Sequence, residues 1–123
     1  MKILIIDDSL LARIAVKKCL IELKDLSIYE ASDGVEGLSK FKDINPDIVF
    51  LDLTMPVMDG FVTLQEIKKL NEKVNVIVLT ADIQTKTAEK VMNLGATMVL
   101  KKPPIKNEIL QALDLIKEQL QKR

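Results

Sequence analysis

The 123-residue chain contains no histidine. That removes Ser-His and Cys-His catalysis, and every zinc site built on imidazole. It has a single cysteine, Cys19, so no disulfide closes within the chain, which fits a reducing cytoplasm. Cys19 falls in line with Ala12, Val16 and Leu23 at helical spacing, as a small buried hydrophobe does, rather than as a reactive thiol. Neither sign of charge is in excess. The 18 lysines and arginines match the 18 aspartates and glutamates, leaving no basic surplus for nucleic acid. Long hydrophobic runs are also missing. Ile3 to Ile6 stops at Asp7-Asp8, too short for a signal peptide, and no stretch approaches the roughly 20 apolar residues of a membrane span. The expectation is a cytoplasmic protein without nucleic-acid binding or membrane insertion.

Apolar content of 48% with 29% charged residues is globular composition. One domain over residues 1–123 accounts for the length. A domain of this size buries roughly two-thirds of its unfolded surface, so neither a disulfide nor a metal is needed to hold it together.

The apolar runs are short and each delivers polar residues. Lys2 to Ile6 reads as a strand ending in Asp7 and Asp8. Ser9 then caps a helix with Ala12, Val16, Cys19, Leu20 and Leu23 on one face. Ser27 to Ala31 is a mixed strand suited to a sheet edge. Asp33-Gly34 leads into a helix marked by Val35, Leu38 and Phe41, which Asn45-Pro46 stops. Ile48-Val49-Phe50-Leu51 is a continuous apolar strand delivering Asp52. Beyond the following loop, in which Asp59-Gly60 is a turn signal, Phe61, Leu64 and Ile67 mark a helix ending near Leu70. Val74 to Leu79 is the next buried strand, and it delivers Thr80. Ala88, Val91 and Met92 form one face of a short helix that Gly95 terminates. Met98 to Leu100 is a last short strand delivering Lys101-Lys102-Pro103-Pro104. The final helix, from about Lys106, carries Ile109, Ala112, Leu113, Ile116 and Leu120.

Strand then helix, five times, predicts an α/β fold: a doubly wound, five-stranded parallel sheet with helices on both faces. In such sheets ligands bind outside the carboxyl ends of the strands, where strand order reverses. Asp7 and Asp8, Asp52, Thr80 and a lysine (Lys101 or Lys102) all fall at that edge. Each alone has an ordinary explanation, as a helix-dipole partner, a strand end or a solvated cation. Four strand ends bearing complementary groups are better explained together. Three carboxylates within about 5 Å of one another repel by on the order of 3 kcal/mol per pair at an effective dielectric near 20. One lysine offsets part of this, and a divalent cation offsets the rest. Hard oxygens without histidine or thiolate suit Mg²⁺. Mg²⁺, a lysine and a threonine hydroxyl together suit a phosphoryl group, with an aspartate as nucleophile. Asp52, on the central and most apolar strand, is the natural acceptor.

Ile5-Ile6-Asp7-Asp8-Ser9, Asp52 followed by Met55-Pro56 and Met58-Asp59-Gly60, Thr80-Ala81 and Lys102-Pro103 resemble the receiver domain of two-component response regulators. The resemblance runs over essentially the whole chain, in order and at the right spacings. It implies the flavodoxin-like strand order 2-1-3-4-5 and a phosphoprotein switch rather than an enzyme with its own substrate. It further implies Asp52 as phosphoacceptor, with Mg²⁺ held by Asp7, Asp8, Asp52 and the main-chain carbonyl of Thr54. Thr80 becomes the switch residue and Lys102, immediately before proline, the phosphate partner, with the Lys102-Pro103 bond cis. The side chains of Thr54 and Asp82 become candidates for tuning phosphate lifetime.

The implied partners are a histidine kinase or phosphotransfer protein as donor, and a downstream protein target. The target is expected on the face made by the last two helices and last strand, which Thr80 and the loop from Ala81 to Thr85 bias. Without an output domain the signal leaves by protein contact, in chemotaxis or motility first. The alternative is a phosphorelay intermediate serving a histidine phosphotransfer protein. Val99 stands where many receivers carry an aromatic residue, so no aromatic toggle is available. Pro104 stands where a phenylalanine is common. A phosphatase with an aspartyl nucleophile would need a second acid where Thr54 stands, and a cap. A flavin module would need a Ser/Thr/Gly-rich loop where Asp7-Asp8 stands.

Overall fold

In the computed structural model, which describes residues 1–55, 57–81 and 84–122, each apolar run of the sequence becomes a strand. The elements alternate as β1 (Lys2–Ile6), α1 (Leu10–Leu20), β2 (Ser27–Ala31), α2 (Gly34–Ile44), β3 (Ile48–Asp52), α3 (Gly60–Leu70), β4 (Asn75–Thr80), α4 (Thr85–Asn93), β5 (Met98–Lys101) and α5 (Lys106–Gln121). The five strands form one parallel sheet in the order β2-β1-β3-β4-β5, as the sequence predicts.

Strand alternation divides the core into two layers. Leu4, Ile6, Val49, Leu51, Val76 and Val78 pack with Phe41, Leu64, Ile67 and Val91 from α2, α3 and α4. Ile3, Ile5, Ile48, Phe50, Ile77 and Leu79 pack with Val16, Cys19 and Leu20 of α1 and with Ile109, Ala112, Leu113 and Ile116 of α5. β3 and β4 are buried along their whole length, whereas β2, at the edge, is buried only at Ala31. Cys19 is buried, and burial pushes its thiol above the ordinary value, so it is a core residue as expected.

The helix punctuation also matches. The Ser9 side chain accepts from Ala12 N, Asp33 from Glu36 N and Asp59 from Val62 N, each starting a helix. Asn45 ends α2 in the left-handed region, and Gly95, at φ 106°, follows the last turn of α4. Two side chains assigned to the core stay outside it. Val35 is 52% exposed in the first turn of α2, which buries Gly34, Gly37 and Phe41 instead, and Met92 is 46% exposed, since α4 is short and buries only Val91. No helix among the described residues is long and apolar enough to cross a membrane.

Candidate functional site

The carboxyl ends of β1 and β3 are neighbours, with Ile6 opposite Leu51, so Asp7, Asp8 and Asp52 emerge side by side. β4 lies on the other side of β3 and ends in Thr80, opposite Lys101 of β5. The switch in strand order therefore falls between β1 and β3, where the acidic residues stand.

One carboxylate oxygen from each of Asp7, Asp8 and Asp52 lies within 4.8 Å of the others. Asp7, Asp52 and Thr80 are buried, and Asp8 is exposed. Of the two candidate lysines, Lys102 reaches the cluster. Its Nζ stands 2.7 Å from Asp7 Oδ2 and 3.2 Å from Asp52 Oδ1. Lys101 is exposed. Lys102 N donates to the Thr80 carbonyl, and the Lys102-Pro103 bond is cis.

Two groups hold the carboxylates from below. Ser9 N donates to Asp7 Oδ1 at 3.0 Å, and Thr54 N to Asp52 Oδ1 at 3.4 Å. Burial first, and the charge of Asp7 second, push the Asp52 carboxyl above its ordinary value against the pull of Lys102. Burial works to lower the Lys102 ammonium, but its hydrogen bond to Asp7 and the charges of Asp52 and Asp7 outweigh this and raise it. Lys102 is therefore charged at neutral pH, one cation facing three carboxylic groups. The remaining acidity, the open side at Asp8 and the all-oxygen donor set suit a hard divalent cation.

Gly60 lets the loop return close to Asp52. A Cβ there would stand 2.4 Å from the Asp52 carbonyl oxygen and 2.4 Å from Leu53 Cα. The Asp59-Gly60 turn signal is thus also what seats α3 against the acidic edge. Thr54 is exposed beside Asp52. Asp82 and Pro56, both singled out from the sequence, lie outside the described residues.

Sequence patterns did not disclose Arg13. From the first turns of α1 its Nη1 donates to the Asp7 carbonyl at 2.7 Å, and its Nε to Glu30 Oε1 at 3.0 Å. Lys17, one turn on, takes Glu30 Oε2 at 2.9 Å. The available signal was the i, i+4 spacing of two cations facing the one acid inside β2.

Comparison with known proteins gives a consistent picture. A family model described as response regulator receiver domain matches residues 3–114. The chain is 32% identical to the chemotaxis protein CheY of Bacillus subtilis over 113 residues, covering 92% of this chain and 94% of that one. It is 32% identical to the chemotaxis protein CheY of Listeria monocytogenes over 114 residues, covering 93% and 96%. Among solved structures, a CheY–CheX complex with BeF₃ and Mg²⁺ from Borrelia burgdorferi superposes with a TM-score of 0.86 at 30% identity, covering 92% of this chain and 86% of that one.

Proposed function

Because the chain belongs to the response regulator receiver domain family, a family of regulatory domains in two-component signalling, we propose that it is a phosphorylation-activated switch with Asp52 as phosphoacceptor. One observation carries this most directly: Lys102 bridges Asp7 and Asp52 at the mouth of a three-carboxylate cluster. A lysine so placed can follow the negative charge when it grows on Asp52.

The phosphoryl donor is a phosphohistidine on a histidine kinase or phosphotransfer protein. An Asp52 carboxylate oxygen attacks phosphorus, the P–N bond breaks as the P–O bond forms, and the imidazole, protonated from solvent on its other ring nitrogen, leaves as the neutral base. Asp52 is held for in-line attack by Thr54 N and Lys102. Asp7, Asp8, Asp52 and the Thr54 carbonyl are the proposed Mg²⁺ ligands, an assignment supported by the donor chemistry and by the Mg²⁺ bound to the Borrelia relative. Bound there, Mg²⁺ neutralises charge on the phosphoryl oxygens. The phosphoryl group adds a charge of about −1.5 to −2, which Lys102 pairs. Thr80, at the end of the neighbouring strand, turns its hydroxyl to a phosphoryl oxygen and biases α4. The side chain of Thr54, exposed beside Asp52, is the proposed tuner of hydrolysis, and the Asp82 candidate lies outside the described residues. The face of α4, β5 and α5 then changes its affinity for a protein target, with chemotaxis as the setting favoured by the curated relatives.

The test is phosphoryl incorporation from acetyl phosphate with Mg²⁺. Wild type takes up label and Asp52→Asn does not; undiminished labelling of the variant overturns the assignment. A pull-down with and without beryllofluoride then identifies the target.

A further inference from the structure

The peptide joining Asp7 to Asp8 is held from a direction that the acidic cluster itself does not supply. Asp7 N donates to the Ala31 carbonyl at 3.1 Å, extending the β1–β2 ladder by one bond. The Asp7 carbonyl lies beyond the last paired residue of β1, and Arg13 Nη1 donates to it at 2.7 Å. Arg13 is itself fixed. Its side chain is only 15% exposed, its Nε is held by Glu30, and Glu30 is held in turn by Lys17. The hydrogen bond from Lys17 chiefly, helped by Arg13 and opposed by burial, keeps the Glu30 carboxyl below its ordinary value, so the clamp is charged at neutral pH.

The physical consequence lies in the planarity of the peptide. Fixing the carbonyl of Asp7 fixes the plane, and with it the direction in which the Asp8 Cα leaves. Asp8 is exposed, and its convergence on Asp7 and Asp52 depends on that backbone direction. We infer that Arg13, oriented by Glu30, is a positioning residue for divalent-cation binding: it sets the peptide between the two aspartates so that their carboxylates converge.

The inference rests on the proposed metal site, and its sign separates it from simple electrostatics. Removing a positive charge beside a cation site by itself tightens cation binding. Losing the clamp loosens it. Calorimetric titration with Mg²⁺ is therefore run on wild type, Arg13→Gln, Arg13→Lys and Lys18→Gln. Lys18 is exposed on the same helix and controls for lost charge. Both Arg13 variants are expected to bind Mg²⁺ more weakly, by on the order of 10-fold as for other residues that orient metal ligands, whereas Lys18→Gln is not. Arg13→Lys keeps the charge and the apolar stem, so it reports even if the glutamine variant folds poorly. In phosphorylation by acetyl phosphate, the Mg²⁺ concentration for half-maximal rate rises in the Arg13 variants while the rate at saturating Mg²⁺ changes far less. Equal or tighter Mg²⁺ binding by Arg13→Lys overturns the positioning role and leaves the metal site standing. Absence of Mg²⁺ binding by wild type overturns both.

Discussion

The ammonium of Lys102 stands closer to Asp7, at 2.7 Å, than to Asp52, at 3.2 Å. Lysine and a metal cation placed at this cluster would therefore be rivals for the same oxygens. Lys102→Met is expected to bind Mg²⁺ more tightly, by about tenfold or more, since a unit charge about 4 Å away counts for several kcal/mol at an effective dielectric near 20. Titration calorimetry measures this, and weaker binding would contradict the rivalry.

Asp52 carries a stability cost at neutral pH. Its ordinary carboxyl value is 3.8 and its folded value is higher. Such an acid favours the fold fully below its unfolded value, and that contribution is lost as pH rises through the folded one. Asp52→Asn should therefore raise the melting temperature at pH 7 by on the order of a few degrees. The gain should vanish as the pH is brought below the carboxylate range. Paired thermal melts across pH check both the sign and the window.

Mg²⁺ should stabilise the fold through the cluster. At 100 times its dissociation constant a ligand adds about 2.7 kcal/mol to stability. Asp8→Asn should lose most of that increment while keeping the metal-free stability, because Asp8 is exposed and takes no part in the core. Denaturant melts with and without Mg²⁺ decide it.

Gly60→Ala places a methyl 2.4 Å from main-chain atoms of Asp52 and Leu53, and neither can yield without moving Asp52. A destabilisation of about 1–3 kcal/mol, typical of overpacking, is expected together with slower labelling from acetyl phosphate. A variant with unchanged stability and labelling would show that the loop approach is not required.

The parallel sheet was legible because β3 and β4, buried on both faces, leave unbroken apolar runs in the sequence. The acidic edge followed, since each run ended in its polar residue. Lys101 and Lys102 were indistinguishable by composition; the resemblance chose Lys102 because it precedes proline, and Lys102 is the one whose ammonium meets Asp7 and Asp52. Arg13 was hidden for a different reason. Periodicity registers apolar faces, and the value of an arginine lies in a carbonyl that it meets only after α1 has folded back on β1. Met92 shows the converse, an apolar residue with correct spacing on a helix too short to bury it.

The pleat has a further consequence. Ile3, Ile5, Ile48 and Phe50 belong to the layer of α1 and α5, and by the same parity Asp52 points to that side, where the Lys102 ammonium joins it to Asp7. Thr80 follows Val76 and Val78, which belong to the layer of α2, α3 and α4. The sheet thus acts as a partition, with the chemistry on one side and α4 on the other. Thr80 ends the strand next to the acidic edge, so in a chain with valine at 99 the proposed switch relies on Thr80 together with shifts of the loop and helix that follow it.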